Sequence, residues 1–181
     1  MLFEDSPVIA AVRTNEEFTE VLKSPVKNVF LLHADILTIR RQLQQAKDAG
    51  KSVFVHLDMA DGIGKDQKGA AFLAFSGAAG IISTRPPLVK AAKDMGLATV
   101  MRFFVIDSHS IDTAVDNIKK TTPDMVEMMP GILPEIIRMV GGKIHVPIIA
   151  GGLIKTKKDV YNALSAGAEA ISTGEQSLWY Q

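Results

Sequence analysis

The chain has no cysteine among its 181 residues. No disulfide can staple it and no thiolate can serve as nucleophile or metal ligand, which suits a reducing, cytoplasmic setting. Aromatic residues are few, with eight Phe, two Tyr and one Trp. They leave little surface for stacking unpaired bases, and no aromatic-rich strand of the RNA-recognition type is present. Twenty Lys and Arg balance twenty Asp and Glu, for a net charge of zero. That balance argues against a broad basic face toward nucleic acid and leaves only local patches. No apolar run reaches the roughly 20 residues needed to cross a bilayer. The opening Met1-Leu2-Phe3-Glu4-Asp5 lacks a basic stretch followed by an apolar one, so no secretory signal is expected.

What is present is alternation. Apolar runs rich in Val, Ile, Leu and Phe predict strands at Val8–Val12, Val29–His33, Val53–Asp58, Gly80–Ser83, Ala98–Phe104, Met125–Met128, Ile148–Ala150 and Ala170–Ser172. Most are apolar on both faces, as parallel strands covered by helices are. Amphipathic stretches between them predict helices at Asn15–Leu22, Thr38–Ala49, Gln67–Phe75, Pro87–Met95, Ser110–Lys119, Leu133–Val140 and Lys157–Ala166. Gly50, Gly96 and Gly167 stand where left-handed caps would end helices. Thr14 and Asp107 or Ser108 are candidate N-caps. Eight strands with seven helices predict an α/β fold, a single small (β/α)8 TIM-type barrel over residues 1–181. The length is below the usual range of about 200 residues upward, so loops must be short and the last helix truncated. A doubly wound open sheet is the alternative.

Two runs near the end favour closure. Val146-Pro147-Ile148-Ile149-Ala150-Gly151-Gly152 is an apolar strand ending in paired glycines, and Ala170-Ile171-Ser172-Thr173-Gly174 repeats the pattern. Glycine lets backbone N–H groups approach a ligand closely. Two such strand ends side by side would gather amide donors suited to a phosphate monoester, as at the last two strands of many barrels. Elsewhere at the mouth, Asp58, His56 and Phe54 share one strand face. Glu127 is a lone carboxylate in an apolar strand, costly to bury unless paired or hydrogen-bonded. Each has a plainer reading: Asp58 as a cap for the turn near Asp61, His56 as a core histidine, Glu127 as the partner of Arg102, and Gly151-Gly152 as a tight turn. Arg13 and Arg85 also end strands, to reach a ligand or to pair at the rim. Lys155, Lys157 and Lys158 crowd a helix start, where the dipole disfavours cations, and an anionic partner would offset that. Lys65 and Lys68 flank a glycine-softened loop.

The runs His56-Leu57-Asp58-Met59-Ala60-Asp61-Gly62-Ile63-Gly64, Ile82-Ser83-Thr84-Arg85, Val126-Glu127-Met128-Met129-Pro130-Gly131 and Ile149-Ala150-Gly151-Gly152-Leu153-Ile154 resemble the glycerol-3-phosphate-responsive antiterminator family. The resemblance spans nearly the whole chain. It implies a barrel that binds the effector glycerol 3-phosphate and acts on leader mRNA of glycerol operons, letting transcription pass a terminator. On that resemblance the phosphate sits at Gly151, Gly152, Thr173 and Gly174. Asp58 and Glu127 take the glycerol hydroxyls, supported by His56, Arg85 and Lys155. RNA contact falls to Lys65, Lys68, Lys157 and Lys158, multiplied by formation of a homo-oligomer; Trp179 and Tyr180 at the tail are available for stacking, with simple packing as their plainer reading. Ordering of Asp61–Lys68 by the ligand would couple the two sites. No catalytic residue, metal, cofactor or membrane contact is expected. The competing class is a phosphosugar enzyme, an isomerase, lyase or phosphodiesterase. A Schiff-base aldolase needs a lysine on a barrel strand, and none of the predicted strands has one.

Overall fold

A computed structural model of the chain describes residues 6–180; the Met1–Asp5 run, discussed above as carrying no secretory signal, lies outside the described residues. Eight strands, β1 (Val8–Val12), β2 (Asn28–Leu31), β3 (Ser52–His56), β4 (Gly80–Ser83), β5 (Ala98–Phe104), β6 (Met125–Met129), β7 (Ile148–Gly151) and β8 (Ala170–Thr173), alternate with helices. The helices are α1 (Asn15–Lys23), α2 (Ile39–Asp48), α3 (Gln67–Phe75), α4 (Pro86–Asp94), α5 (Ser108–Thr121), α6 (Pro134–Gly141) and α7 (Lys157–Ser165). All strand pairs are parallel in sequence order, and β8 pairs with β1. The sheet is a closed barrel, not the open alternative. Among the described residues no helix is long and apolar enough to cross a membrane.

Local chemistry sets the boundaries. Thr14 closes a capping box with Glu17 at α1, and Asp107 does the same with Ser110 at α5. Gly50, Gly96 and Gly167 hold φ of 69°, 78° and 104° after α2, α4 and α7, as their positions predict. Two strands end earlier than expected. β2 stops at Leu31, and β3 at His56, after which Leu57–Met59 turns as a 3-10 segment. Asp58 therefore leaves the ladder, drawn toward the loop after β4 by hydrogen bonds described below.

Alternation along the strands divides the side chains into two cores. Those facing out meet the helices. Those facing in stack as a band with one member from every strand, from Ile9 through Phe30, Phe54 and Val100 to Ala170. The Phe30 and Phe54 rings meet edge to face at 5.7 Å. Two residues further along the strands the facing-in positions are His56, Arg102, Glu127 and Ser172, with Ala11 and Gly151 the smallest members. The barrel thus carries a polar layer directly above an apolar one.

Among the described residues the element after β8 is the 3-10 segment Gln176–Tyr180, not an α-helix, and it closes that side. Trp179 is fully buried there, and its indole N–H donates to the Thr173 carbonyl at 2.9 Å. Of the tail aromatics only Tyr180 is exposed, so Trp179 is a plug for the barrel flank and not a base-stacking surface. Trp179→Ala should cost about 3–5 kcal/mol of stability, read by urea denaturation. A loss below about 1 kcal/mol would show that the segment is dispensable.

Candidate functional site

The C-terminal ends of the strands form a mouth built on one buried ion pair. Arg102 and Glu127 stand opposite each other in the β5–β6 register. Arg102 Nε donates to Glu127 Oε2 at 2.5 Å, and Ser172 Oγ donates to Oε1 at 2.5 Å. Glu127 is 1% exposed and Arg102 is 9% exposed. Burying such a pair is tolerated only when each charge is matched and hydrogen-bonded, and removing one partner typically costs about 3–5 kcal/mol. The plainer reading of Glu127 is thus the observed one, and both its oxygens are committed within the protein. Gly151 belongs to the same device. A Cβ there would lie 2.4 Å from Glu127 Oε1 and 2.7 Å from Ser172 Oγ, so this glycine makes room for the carboxylate.

Beside this network a cavity of about 330 Å³ opens between β1 and the β7–β8 loops, lined by Gly152, Thr173, Gly174, Lys155 and Arg13. Three of the four residues expected to hold phosphate border it; Gly151 does not. Gly152 and Leu153 both take left-handed backbone, with φ of 74° and 62°. For the non-glycine Leu153 this stores strain of order 1 kcal/mol, a feature concentrated at binding sites. Among the described residues the N–H groups of Gly152, Leu153 and Gly174 have no hydrogen-bond acceptor. Thr173 is different: its Oγ1 donates to the Ile154 carbonyl at 2.7 Å and accepts from Glu175 N–H at 3.0 Å, so its hydroxyl braces the loops. A Cβ on Gly174 would sit 3.1 Å from Arg13 Nη1, placing the Arg13 guanidinium at the same corner. Sequence reasoning left Arg13 undecided between rim and ligand, because which strand end it adjoins depends on closure of β1 against β8.

Asp58 is occupied as well. Ser83 Oγ donates to Oδ1 at 2.8 Å, while Thr84 N–H and Oγ1 donate to Oδ2 at 2.7 and 2.9 Å. Arg85 Nε lies 3.7 Å from Oδ1, so Arg85 takes the rim-pairing role. Partial burial pushes the Asp58 carboxyl up, but these hydrogen bonds outweigh it and hold the group below its ordinary range. His56 is 4% exposed with neither ring nitrogen hydrogen-bonded. Burial, and then the nearby Arg102 cation, lower its pKa to about 4 against a smaller upward pull from Asp58.

The basic residues divide. Lys157 and Lys158 are exposed in the first turn of α7, and Lys68 is exposed in that of α3. Lys65 is half-buried and its ammonium donates to the Ala60 carbonyl, which removes it from a free basic patch. The dipole penalty at α7 is already offset locally. Thr156 and Asp159 form a capping box, and Asp159 accepts from Lys155 N–H at 3.1 Å. The loop after β3 is also held, by Asp61 N–H to the Ala34 carbonyl at 2.7 Å and Ile36 N–H to the Asp61 carbonyl at 3.0 Å. It is pinned to the loop after β2 without help from a ligand.

Comparison with known proteins places the chain in a family. The family model described as glycerol-3-phosphate responsive antiterminator matches residues 8–179. The uncharacterized protein YgcP of Escherichia coli (strain K12) is 35% identical over 179 residues, covering 98% of this chain and 94% of that protein. The crystal structure of a glycerol uptake operon antiterminator regulatory protein from Listeria monocytogenes str. 4b F2365 superposes with a TM-score of 0.95 at 31% identity, covering 99% and 97% of the two chains. A glycerol uptake operon antiterminator-related protein from Thermotoga maritima MSB8 does so with a TM-score of 0.85 at 34% identity, covering 95% and 96%.

The state of His56 has a measurable consequence. The folded ring binds its proton only near pH 4, whereas in the unfolded chain it does so near 6.5. Between those values the unfolded state carries more protons, so stability falls as pH drops through the window. His56→Gln should flatten that part of the curve, by up to about 3 kcal/mol over the window, in urea denaturation at a series of pH values. Parallel curves for the two proteins would show that the ring is not buried neutral.

Proposed function

The chain belongs to the glycerol-3-phosphate responsive antiterminator family, and from that premise we propose that it senses glycerol 3-phosphate at the β7–β8 corner. So loaded, it acts in the cytoplasm on leader mRNA of glycerol operons as a transcription antiterminator, without catalysis. One observation carries the ligand assignment. The cavity at that corner gathers unclaimed N–H groups at Gly152, Leu153 and Gly174 with the cations Arg13 and Lys155, the donor set an anion requires.

The same geometry weighs against a phosphosugar enzyme. Among the described residues no strand carries a lysine for Schiff-base chemistry. Glu127 is held by Arg102 and Ser172, and Asp58 by Ser83 and Thr84, so neither is free to shuttle a proton. Exposed Lys157 and Lys158 lie one turn beyond the anion corner, where RNA phosphates and a bound ligand would be felt together. Coupling through ordering of the Asp61–Lys68 segment has no support in a loop already pinned.

Glycerol 3-phosphate at a hundredfold excess over its Kd should raise the melting temperature by about 5–10 °C, and glycerol alone should do far less. Gly174→Val, which fills the corner against the movable end of Arg13, should leave a folded protein that no longer responds. A full response would place the phosphate elsewhere.

Binding of a glycerol-operon leader RNA should strengthen with glycerol 3-phosphate and weaken steeply as salt rises. The double change Lys157→Glu with Lys158→Glu should weaken it further. A flat salt profile would refute the basic-patch contact.

A further inference from the structure

The mouth has a second compartment. A cavity of about 550 Å³ opens on the β3–β5 side, bounded by His56, Asp58, Thr84 and Phe104. Arg13, Leu32 and Arg102 line this cavity and the anion corner alike, so the two adjoin at those side chains. The corner and this polar compartment thus share one wall.

The hydroxyl-reading role expected of two carboxylates has no free carboxylate to fill it. Glu127 is already tied to Arg102 and Ser172, and Asp58 to Ser83 and Thr84. The group left wanting is His56, 4% exposed, set facing in by the alternation of β3, and unpartnered at both nitrogens. Buried polar atoms are rarely left so, because each loses the hydrogen bonds that water supplied. Burial and the neighbouring cations Arg102 and Lys65 keep the ring neutral against a smaller upward pull from Asp58. A neutral imidazole offers one N–H donor and one bare nitrogen acceptor. An alcohol can satisfy either. An ammonium would meet the Arg102 cation, and a second anion would be drawn to Arg102 instead of an uncharged ring.

We infer that His56 is the hydroxyl-reading group of the mouth, taking an alcohol of the ligand whose phosphate is anchored at the β7–β8 corner. This rests on the phosphate reading above and replaces its carboxylate contacts with a neutral one. A site built to hydrogen-bond a hydroxyl discriminates against the analogue lacking it, since the buried partner is then left unsatisfied.

The test compares glycerol 3-phosphate with n-propyl phosphate, the same skeleton without hydroxyls, by calorimetric titration of the full chain. Wild type should prefer glycerol 3-phosphate at least tenfold, the size of one hydrogen bond. His56→Leu should erase most of that preference while changing propyl phosphate affinity less than twofold, and His56→Gln should restore part of it. An unchanged preference in His56→Leu, or equal loss of both ligands, overturns the inference and leaves the anion corner standing. If neither ligand nor inorganic phosphate binds wild type, the corner fails and this contact with it. Should His56→Leu not fold, nitrogen NMR of the wild-type ring, recognised by staying neutral at pH 5, gives the answer. Its resonances should move with glycerol 3-phosphate and not with propyl phosphate, and equal responses refute the assignment.

Discussion

Arg102 and Glu127 are held together in the interior of a barrel whose next layer down is wholly apolar, and most of the mouth is arranged to make that pairing tolerable. A buried charge must be neutralised and its remaining hydrogen-bonding capacity met. Register supplies the first condition by setting the two residues directly across β5 and β6. Ser172, reaching from β8, supplies the second. Gly151 supplies the space, since any side chain there would collide with the carboxylate. Three strands are thereby fixed to one another at the height where the ligand corner begins. Gly131 adds a further tie, donating its N–H to the Gly151 carbonyl at 2.5 Å.

This constraint redistributes the roles of the glycines. Gly151 and Gly152 form one motif in the sequence but serve different purposes in space. Gly151 faces the barrel interior and serves the ion pair. Gly152 has turned out of the strand into left-handed backbone and borders the cavity with Leu153. Gly174, twenty-two residues after Gly152 in the numbering, meets the same corner from β8 and leaves room for Arg13 from β1. A phosphate corner of this kind needs closure of the barrel, because its cationic side comes from the first strand and its amide side from the last two.

Much of the architecture could be read from local chemistry. Apolar runs bounded by capping residues locate the strands and helices, and period-two alternation correctly sets His56 and Phe54 facing inward. Pairings that span many residues could not be read that way. The partners of Asp58 lie some twenty-five positions along, at Ser83 and Thr84, and nothing in the His-Leu-Asp run announces them. Glu127 had two readings, and only the β5–β6 register decides between them. Trp179 had two readings, base stacking or packing, and only the fold of the 3-10 segment after β8 decides for packing. The Thr156–Asp159 capping box was visible in principle as a Thr-x-x-Asp spacing. It answers the question of why lysines are tolerated at that helix start without invoking a ligand.

Commitment of the carboxylates also bears on what kind of protein this mouth can be. General acid–base catalysis needs a group that can gain and lose a proton near the working pH within reach of a substrate atom. Here the two candidate carboxylates are tied into structural hydrogen bonds. Two histidines line the mouth: His56 is kept neutral well below physiological pH by burial and by the adjacent guanidinium, and exposed His33 lies 3.3 Å from Asp61 at the rim. Such a site can grip an anion through amides and cations, and a hydroxyl through the neutral buried ring. His56 then adds no titration of its own near neutral pH, whereas a phosphate monoester still changes charge there, its second pKa being about 6. A site so arranged suits a metabolite sensor, and the buried pair beside it holds three strands in place.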